Sequence, residues 1–432
     1  MQRRLLEFAP LTLVLVATAM LISVSVSGQR PSSPAALHEA AIVFAGHEHI
    51  TNRVYFEGID PWQPVRVGVW DYARAKQGGV DVVVENIWAD DSYNRYNATP
   101  KQVMRLLETF FQVLDRHRDK MELALTMGDV ERIVAAKKMA VILGLEAGWD
   151  FEGDLDVLRL LHRFGLRLAQ FTSHDVTNTY VDAVGGVKKW NGINQQGREI
   201  IREMNRLGVV IDISHASNEA QLQIIEASAA PVTSSHQGLR HFVDTERTMP
   251  DETLKALARK GGVLGLHSSG AQISPTYNAW LRGRRMPGNR PMPLIARSAD
   301  DDYGKYLSAL DAAVKERWLE RYVKPWKELV PDEAPLPTID DWVEQVDYVI
   351  KLVGDDHVAM GFDMSRGGGY FRDFDATRYP LITEALVRKG YSAETIHKIL
   401  GGNWMRLFRE ARARPAGAAN ERPERFRQER HP

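Results

Sequence analysis

The chain of 432 residues contains no cysteine, which excludes disulfides, thiolate nucleophiles and metal sites built on cysteine. It also has no excess of either charge, because 55 Lys and Arg residues stand against 56 Asp and Glu residues. The net charge of -1 gives no electrostatic basis for nucleic acid as the main partner. Hydrophobic residues make up 44% and charged residues 26%, which are ordinary globular proportions.

The first thirty residues predict a targeting segment. Arg3 and Arg4 precede an uncharged run over 8–26, and small residues follow before Gln29. A basic start, an apolar centre and a small-residue exit are typical of a secretory signal, here residues 1–28. A retained membrane anchor is the alternative, because roughly 17–25 apolar residues span a bilayer. Both predict a periplasmic or secreted body that contacts a membrane only through an uncleaved N-terminal segment.

The other end of the chain, residues 411–432, is rich in Arg, Glu and Pro and has almost no apolar residues. This composition predicts a solvated, disordered tail. Between the two ends, we expect residues 38–410 to form the folded body. A body of this length is one large barrel or two ordinary domains.

Short apolar runs of strand type alternate with amphipathic helical stretches through this body. One such helical stretch, Arg198–Leu207, has its apolar residues on one face and ends at Gly208. Strands separated by helices predict a parallel sheet, and eight units predict an α/β fold of the (β/α)8 TIM-barrel type, with a doubly wound sheet as the alternative. The eight runs are Ala41–Gly46, Val80–Ile87, Ala140–Leu145, Leu166–Thr172, Val209–Ile213, Pro231–Thr233, Gly262–Leu266 and His357–Phe362.

Side chains able to bind a metal follow seven of these eight runs. In a closed barrel the strand ends meet at one mouth, where such a cluster would be costly to bury without compensation. A bound metal removes that cost, so the sequence predicts a metal site at the C-terminal ends of the strands. In run order, the side chains are His47-Glu48-His49, Glu146, His174, His215, His236, His267 and Asp363.

The ligand types indicate which metal is bound. Imidazole and carboxylate ligands without thiolate suit zinc first, and then manganese, iron or cobalt. His47 and His49 lie two residues apart on a strand and therefore point the same way, whereas Glu48 points away. Four histidines and a bridging carboxylate exceed the needs of one zinc ion, so we expect two metals that share an activated water.

Three blocks of the chain carry further motifs. They are GLEAG at 144–148 with TSHD at 172–175; GINQQG at 192–197 with NRLGVVIDISH at 205–215, APVTSSH at 230–236 and RTMP at 247–250; and HVAMGFD at 357–363 with YP at 379–380 and GN at 402–403. In this order and at this spacing, the motifs resemble the membrane dipeptidase (renal dipeptidase, peptidase M19) family of the amidohydrolase superfamily. The resemblance covers roughly residues 42–409.

The resemblance implies a set of metal ligands. Glu146 would bridge two zinc ions, with another divalent metal as an alternative to zinc. His47 and His49 would bind the first ion, and His215 and His236 would bind the second.

The resemblance also implies roles toward a substrate. His174 would polarise the scissile carbonyl, and Arg247 would bind the substrate's terminal carboxylate through its bidentate guanidinium. Asp363 would orient a metal-bridging hydroxide and pass its proton to the leaving amine. His267 has no role in the family pattern, and we expect it to line the pocket.

The chain departs from the family pattern at three places. His49 stands where the family usually has Asp, which makes the charge of the site one unit less negative. This difference leaves the identity of the substrate undetermined. A glycine-rich stretch, MSRGGGY at 364–370, follows the eighth run, and it reshapes the pocket or is simply a flexible loop. An insertion over 268–340 separates the last two runs, as expected of a lid or an oligomer contact.

The function that these features predict is a zinc-dependent dipeptidase. It would hydrolyse small dipeptides, L-L and also L-D, by attack of a metal-bridging hydroxide, and family resemblance allows a homodimer. The alternative is another hydrolase activity on the same dinuclear site, toward N-acyl-amino acids, lactones or β-lactams, and a requirement for a free α-amino group separates the two. A third hypothesis is a metal-binding protein without turnover.

Overall fold

The computed structural model describes residues 33–94, 98–147, 151–172, 176–282, 284, 303–323, 330–365 and 371–412. Several predicted features lie outside these residues. They are the signal or anchor at 1–28, His174, the glycine stretch at 366–370, parts of the 268–340 insertion and the tail from residue 413 onward.

Eight parallel strands form a nearly closed barrel, as the sequence predicts. The strand order in the sheet is β1-β2-β4-β5-β6-β7-β8-β9, and β3 pairs with β4 beside this path. The two ends of the sheet approach each other where the Asp363 N–H, just past β9, donates to the carbonyl of His47 in β1 at 3.1 Å. The strands are Val43–Glu48, Val80–Trp88, Met121–Leu123, Met139–Glu146, Leu166–Gln170, Val210–Asp212, Thr233–Gln237, Val263–Leu266 and Val358–Met360, numbered β1 to β9.

Helices alternate with these strands and cover the barrel. The predicted stretch ending at Leu207 is confirmed as α8, which the Asn194 side chain caps at its start and Gly208, with φ of +68°, ends. Numbered α1 to α17, the helices are Pro34–Ala40, Ile50–Glu57, Tyr72–Gln77, Asp91–Asn94, Thr99–Arg116, Met127–Ala135, Leu155–Arg163, Gln195–Leu207, Asn218–Ala227, Asp251–Arg259, Gly270–Ile273, Pro275–Leu281, Tyr303–Tyr322, Ile339–Val353, Pro380–Lys389, Ala393–His397 and Asn403–Arg412.

Alternate strand residues fill two separate parts of the core. Phe44, Val82 and Val84 pack in the barrel interior, whereas Val83 belongs to the larger core between strands and helices. The final helix, α17, closes the interior from below, because Trp404 packs there and donates from Nε1 to the Met360 carbonyl at 3.0 Å. The metal-binding side chains lie at the opposite ends of the strands.

The described part of the 268–340 insertion is largely helical and packs on the barrel. Trp318 of α13 stacks on Phe56 of α2, with ring centroids 4.9 Å apart, and donates from Nε1 to Glu57 at 2.9 Å. Within the described residues, every helix is too short or too polar to cross a membrane. The role of this insertion as a lid stays a prediction.

Candidate metal centre and adjoining pocket

Glu146 ends β4 and lies at the middle of the predicted ligand cluster. Its Oε2 atom lies 2.8 Å from His47 Nε2 and 2.7 Å from His49 Nε2. Its Oε1 atom lies 3.6 Å from His215 Nε2, and that nitrogen lies 2.9 Å from His236 Nε2. The two carboxylate oxygens of Glu146 therefore face two different histidine pairs.

All five of these side chains are buried, with Glu146 and His49 fully inaccessible to solvent. The histidines form two pairs, His47 with His49 and His215 with His236. In each pair the two Nε2 atoms lie 2.9 Å apart. Two imidazole lone pairs at that distance repel each other, and a cation between them removes the conflict. Ligand atoms of His47, Glu146 and His236 lie within 4.8 Å of one another, as those of His47, His49 and Asp363 do. The cluster therefore fits a metal site.

The protonation of the imidazoles also suits metal binding. His49 Nδ1 lies 2.8 Å from the Asn86 carbonyl, an acceptor, so Nδ1 carries the proton and Nε2 presents its lone pair to the cluster. Burial, and then the nearby positive charge of Arg247, lower the pKa of His236 well below its usual value. A neutral His236 is the form that binds a metal.

Backbone strain marks the same strand ends. Ala147, His215 and Asp363 have φ of +101°, +65° and +54°, in the left-handed region that residues other than glycine rarely adopt. Such conformations cost of the order of 1–3 kcal/mol each and persist where the surroundings demand them, often at functional sites. In each case the turn immediately follows or contains a predicted site residue.

A pocket of about 330 Å³ opens beside the cluster. His215, His236 and Asp363 form its floor on the metal side, and Asp363 Oδ1 lies 3.7 Å from His49 Nε2. His267 also lines this pocket, as predicted, and burial lowers its pKa to about 3. Neutral groups also line the pocket, two from the loops after β5 and β7 and four from the start of the insertion: Val184, Thr245, Ser269, Ala271, Gln272 and Asn278.

Arg247 enters the pocket from the segment that follows β7. Its Nη2 donates to the His236 carbonyl at 2.7 Å and lies 3.2 Å from His215 Nε2. Gln237, the last residue of β7, holds the segment by donating to the Arg247 carbonyl at 2.9 Å. The guanidinium is thus fixed beside the predicted metal ligands.

Glu48 lies apart from the cluster, as the alternation of side chains predicts. Its Oε2 accepts the backbone N–H groups of Met364 at 3.0 Å and Ser365 at 2.8 Å, which ties β1 to the segment after β9. Burial, and then the nearby charge of Asp363, raise its pKa well above the usual range. Its contacts are structural.

The sequence analysis did not identify the residues that support the histidines on the side of the rings facing away from the cluster. Asn86, Asp212 and Ser235 contact ligands or each other, and all three are buried. A usable signal was present, because Asp212 and Ser235 are polar residues in buried strands, three residues before His215 and directly before His236.

A family model described as membrane dipeptidase (peptidase family M19) matches residues 33–421. Among curated proteins, the chain is similar to dipeptidase tcpJ of Claviceps purpurea, with 25% identity over 374 residues that cover 84% of this chain and 74% of that protein. It is also similar to dipeptidase verJ of Clonostachys rogersoniana, with 23% identity covering 80% of this chain and 76% of that protein.

Two solved structures have the same fold. The probable dipeptidase PvdM of Pseudomonas aeruginosa has a TM-score of 0.70 and 22% identity, covering 88% of this chain and 97% of that chain. A metallopeptidase of Rhodobacter sphaeroides, liganded with a phosphinate mimic of the dipeptide L-Ala-D-Ala, has a TM-score of 0.64 and 18% identity, covering 86% of this chain and 99% of that chain.

Proposed function

Because the chain belongs to the membrane dipeptidase family (peptidase family M19), we propose that it hydrolyses small dipeptides at a centre that holds two zinc ions. The observation that carries this proposal is the carboxylate of Glu146. One of its oxygens faces the pair His47 and His49, and the other faces the pair His215 and His236. This is the arrangement expected of a ligand that bridges two metals.

The donor set favours zinc over other divalent metals, since it combines imidazole nitrogens with a carboxylate. Zinc ions bound there would lower the pKa of a water molecule toward neutrality and polarise the scissile carbonyl. His49, where the family usually has Asp, supplies a nitrogen that points at Glu146. The imidazole therefore fits the first metal position, and we expect two equivalents of zinc per chain.

Two side chains of the pocket would act on the substrate. Asp363 borders both the cluster and the pocket, so its carboxylate can take up a proton at the metal side and pass it to the leaving amine. Arg247 would bind the terminal carboxylate of the dipeptide. The role of His174 as the group that polarises the carbonyl rests on the family resemblance and stays a prediction.

Both L-L and L-D dipeptides are proposed as substrates. The related metallopeptidase liganded with an L-Ala-D-Ala mimic supports the second class. The pocket wall formed by Ser269, Ala271, Gln272 and Asn278 is uncharged, which suits a small neutral side chain on the C-terminal residue.

The test uses the full chain loaded with zinc and given L-Ala-L-Ala or L-Ala-D-Ala, with release of alanine as the readout. We expect cleavage of both dipeptides, and we expect Asp363→Asn to reduce the rate by at least about 10²-fold because it removes the proton carrier. Asp373→Asn is the matched control, because Asp373 has a similar φ of +53° but lies on the exposed surface away from the cluster.

Absence of cleavage by a chain that holds two zinc ions would contradict the dipeptidase proposal. N-acetylated dipeptides and lactones then become the informative substrates, because the alternative hydrolase activity needs no free α-amino group. Equal losses of dipeptidase activity in Asp363→Asn and Asp373→Asn would contradict the proposed catalytic role of Asp363.

We also propose that the protein acts outside the cytoplasm. The support is the sequence of residues 1–28, with its two arginines and its uncharged run. Fractionation of expressing cells, with N-terminal sequencing of the product, tests this. If the segment is a cleaved signal, the mature N-terminus should lie near residue 29. If it is an anchor, the full-length chain should be found in the membrane fraction. Full-length soluble protein in the cytoplasm would contradict export.

A further inference from the structure

One hydroxyl group contacts a histidine from each half of the metal cluster. Ser235 Oγ lies 2.8 Å from His47 Nδ1 and 2.9 Å from His236 Nδ1. The same oxygen lies 2.5 Å from Asp212 Oδ2. All four residues are buried, and they come from the strands β1, β6 and β7.

The number of protons and lone pairs fixes the direction of these bonds. A serine hydroxyl has one hydrogen to donate and two lone pairs to accept with. The carboxylate of Asp212 only accepts, and its other oxygen already accepts the N–H groups of Ser214 and Ser235, both at 2.9 Å. The hydroxyl hydrogen of Ser235 therefore goes to Asp212, and both lone pairs accept from imidazoles.

Each imidazole consequently carries its proton on Nδ1. Its lone pair is then on Nε2, which in His47 lies 2.8 Å from Glu146 and in His236 lies 2.9 Å from His215 Nε2. Both rings thus present the unprotonated nitrogen to the cluster. The nearest competitor for the hydroxyl, Ser214 Oγ, lies 3.5 Å away, too far to replace any of the three partners.

We propose that Ser235, anchored by Asp212, is a positioning residue that orients one ligand of each metal position at once. A single hydroxyl then supports both halves of the centre, so that its loss weakens both metal sites rather than one. Asp212 hydrogen-bonds neither imidazole directly and acts through the serine. This inference rests on the dinuclear centre proposed above.

The neighbouring residue provides a matched comparison. Ser234 lies on the same strand, is equally buried and donates its hydroxyl hydrogen to Gln237 at 2.6 Å. Ser235→Ala and Ser234→Ala therefore remove the same atom at the same depth. A role in packing alone predicts similar effects of the two substitutions, whereas the proposed role predicts an effect of the first on metal binding.

The experiment titrates zinc into the metal-free full chain in competition with a fluorescent chelator. Loss of such supporting hydrogen bonds typically costs about 10–100-fold in metal affinity, so we expect that loss for both equivalents in Ser235→Ala. Ser234→Ala should bind zinc as the wild type does. Asp212→Asn should also weaken binding, because an amide donor in place of an acceptor makes the serine turn its hydrogen toward an imidazole.

A measurement on the wild type covers the case in which Ser235→Ala does not fold. Nitrogen-15 spectra of the metal-free chain labelled at histidine report which ring nitrogen carries the proton, with His47→Gln and His236→Gln assigning the signals. We expect the Nδ1–H form for both residues.

Two results would overturn the proposal: unchanged zinc affinity in folded Ser235→Ala, or the Nε2–H form for both His47 and His236 in the wild type. A wild-type chain that binds no zinc would instead contradict the metal centre itself. The failure of this inference and the failure of the proposed function are therefore distinguishable.

Discussion

At the scale of single residues, the guanidinium of Arg247 is held by the backbone of a predicted metal ligand. Its Nη2 bonds to the His236 carbonyl, and the segment that carries it is folded by Arg240, which donates to the carbonyls of Thr245 at 3.2 Å and Thr248 at 3.0 Å. A planar, pre-positioned guanidinium suits a carboxylate ligand better than a mobile ammonium does.

Arg247→Lys keeps the positive charge but removes the planar guanidinium, which can donate two parallel hydrogen bonds. It should therefore weaken binding of a dipeptide through its terminal carboxylate. Hydrogen bonds to charged groups are worth about 1.5–3 kcal/mol, and we expect KM to rise roughly tenfold to hundredfold while kcat changes less. Steady-state kinetics on L-Ala-L-Ala provides the measurement.

The corresponding C-terminal amide is the control substrate, since it lacks the carboxylate. Its KM should be the same for Arg247→Lys and the wild type. An equal rise for the acid and the amide would show that Arg247 does not bind the terminal carboxylate.

At the scale of elements, β2 carries a buried carboxyl group away from the metal cluster. Glu85 accepts the Thr51 N–H at 2.7 Å and the Tyr72 hydroxyl at 3.1 Å. Burial is the largest cause that raises its pKa from 4.5 to about 7. The folded chain therefore holds a proton on Glu85 at a pH where the unfolded chain has lost it.

This shift makes the free energy of unfolding depend on pH. A raised pKa stabilises the fold fully below about pH 4.5, and that contribution is lost as the pH rises toward about 7. Glu85→Gln cannot ionise, so its unfolding temperature relative to the wild type should increase between pH 5 and pH 8. Thermal unfolding of the metal-free chains across this range gives the measurement.

Glu39→Gln is the matched control, because Glu39 is exposed on α1. Its unfolding temperature should follow that of the wild type at every pH. A constant difference between Glu85→Gln and the wild type over the whole range would contradict the raised pKa.

Sequence patterns predicted most of the barrel but not all of its strands. The apolar runs became strands because hydrophobic residues buried on both faces mark a parallel sheet. The sixth run, Pro231–Thr233, was misplaced, because the strand is Thr233–Gln237. This strand is polar but fully buried, and its side chains hydrogen-bond to both neighbouring strands, Thr233 to Val263 and Ser235 to Asp212. β3 was missed, since its three residues give too short a pattern.

Alternation separated Glu48 from His47 and His49, but it could not tell which of these side chains faces the barrel interior. Phe44 packs in the barrel interior, so strict alternation would bring Glu48 rather than His47 to the inside. A register shift between Ala45 and Glu48 in the pairing with β2 reverses this order. Such irregularities depend on the neighbouring strand, which a local sequence pattern does not contain.

At the scale of the whole molecule, the predicted metal ligands come from distant parts of the barrel. His47, Glu146 and His236 come from β1, β4 and β7. His49 directly follows β1, and His215 lies in the turn after β6, so bound ions would hold strands from different sides of the mouth together. Ligands that bind only the folded state stabilise it, by about 2.7 kcal/mol per site at a hundred times Kd.

Chelation of the metals should therefore lower the unfolding temperature by several degrees, and added zinc should restore it. The measurement is thermal unfolding with and without a chelator. In His215→Gln the response to zinc should be smaller, whereas His241→Gln, at an exposed histidine stacked on Tyr348, should respond as the wild type does. Identical unfolding temperatures with and without the chelator would contradict a stabilising metal centre.

The helix α17 has a consequence for how the chain acquires its structure during synthesis. It closes the barrel interior with Trp404, yet it follows all of the barrel strands in the sequence. A nascent chain with every strand already outside the ribosome would still expose Phe44 and its apolar neighbours at the open base. Completion of the core therefore requires residues 403–412, and until they emerge this apolar surface stays in contact with solvent.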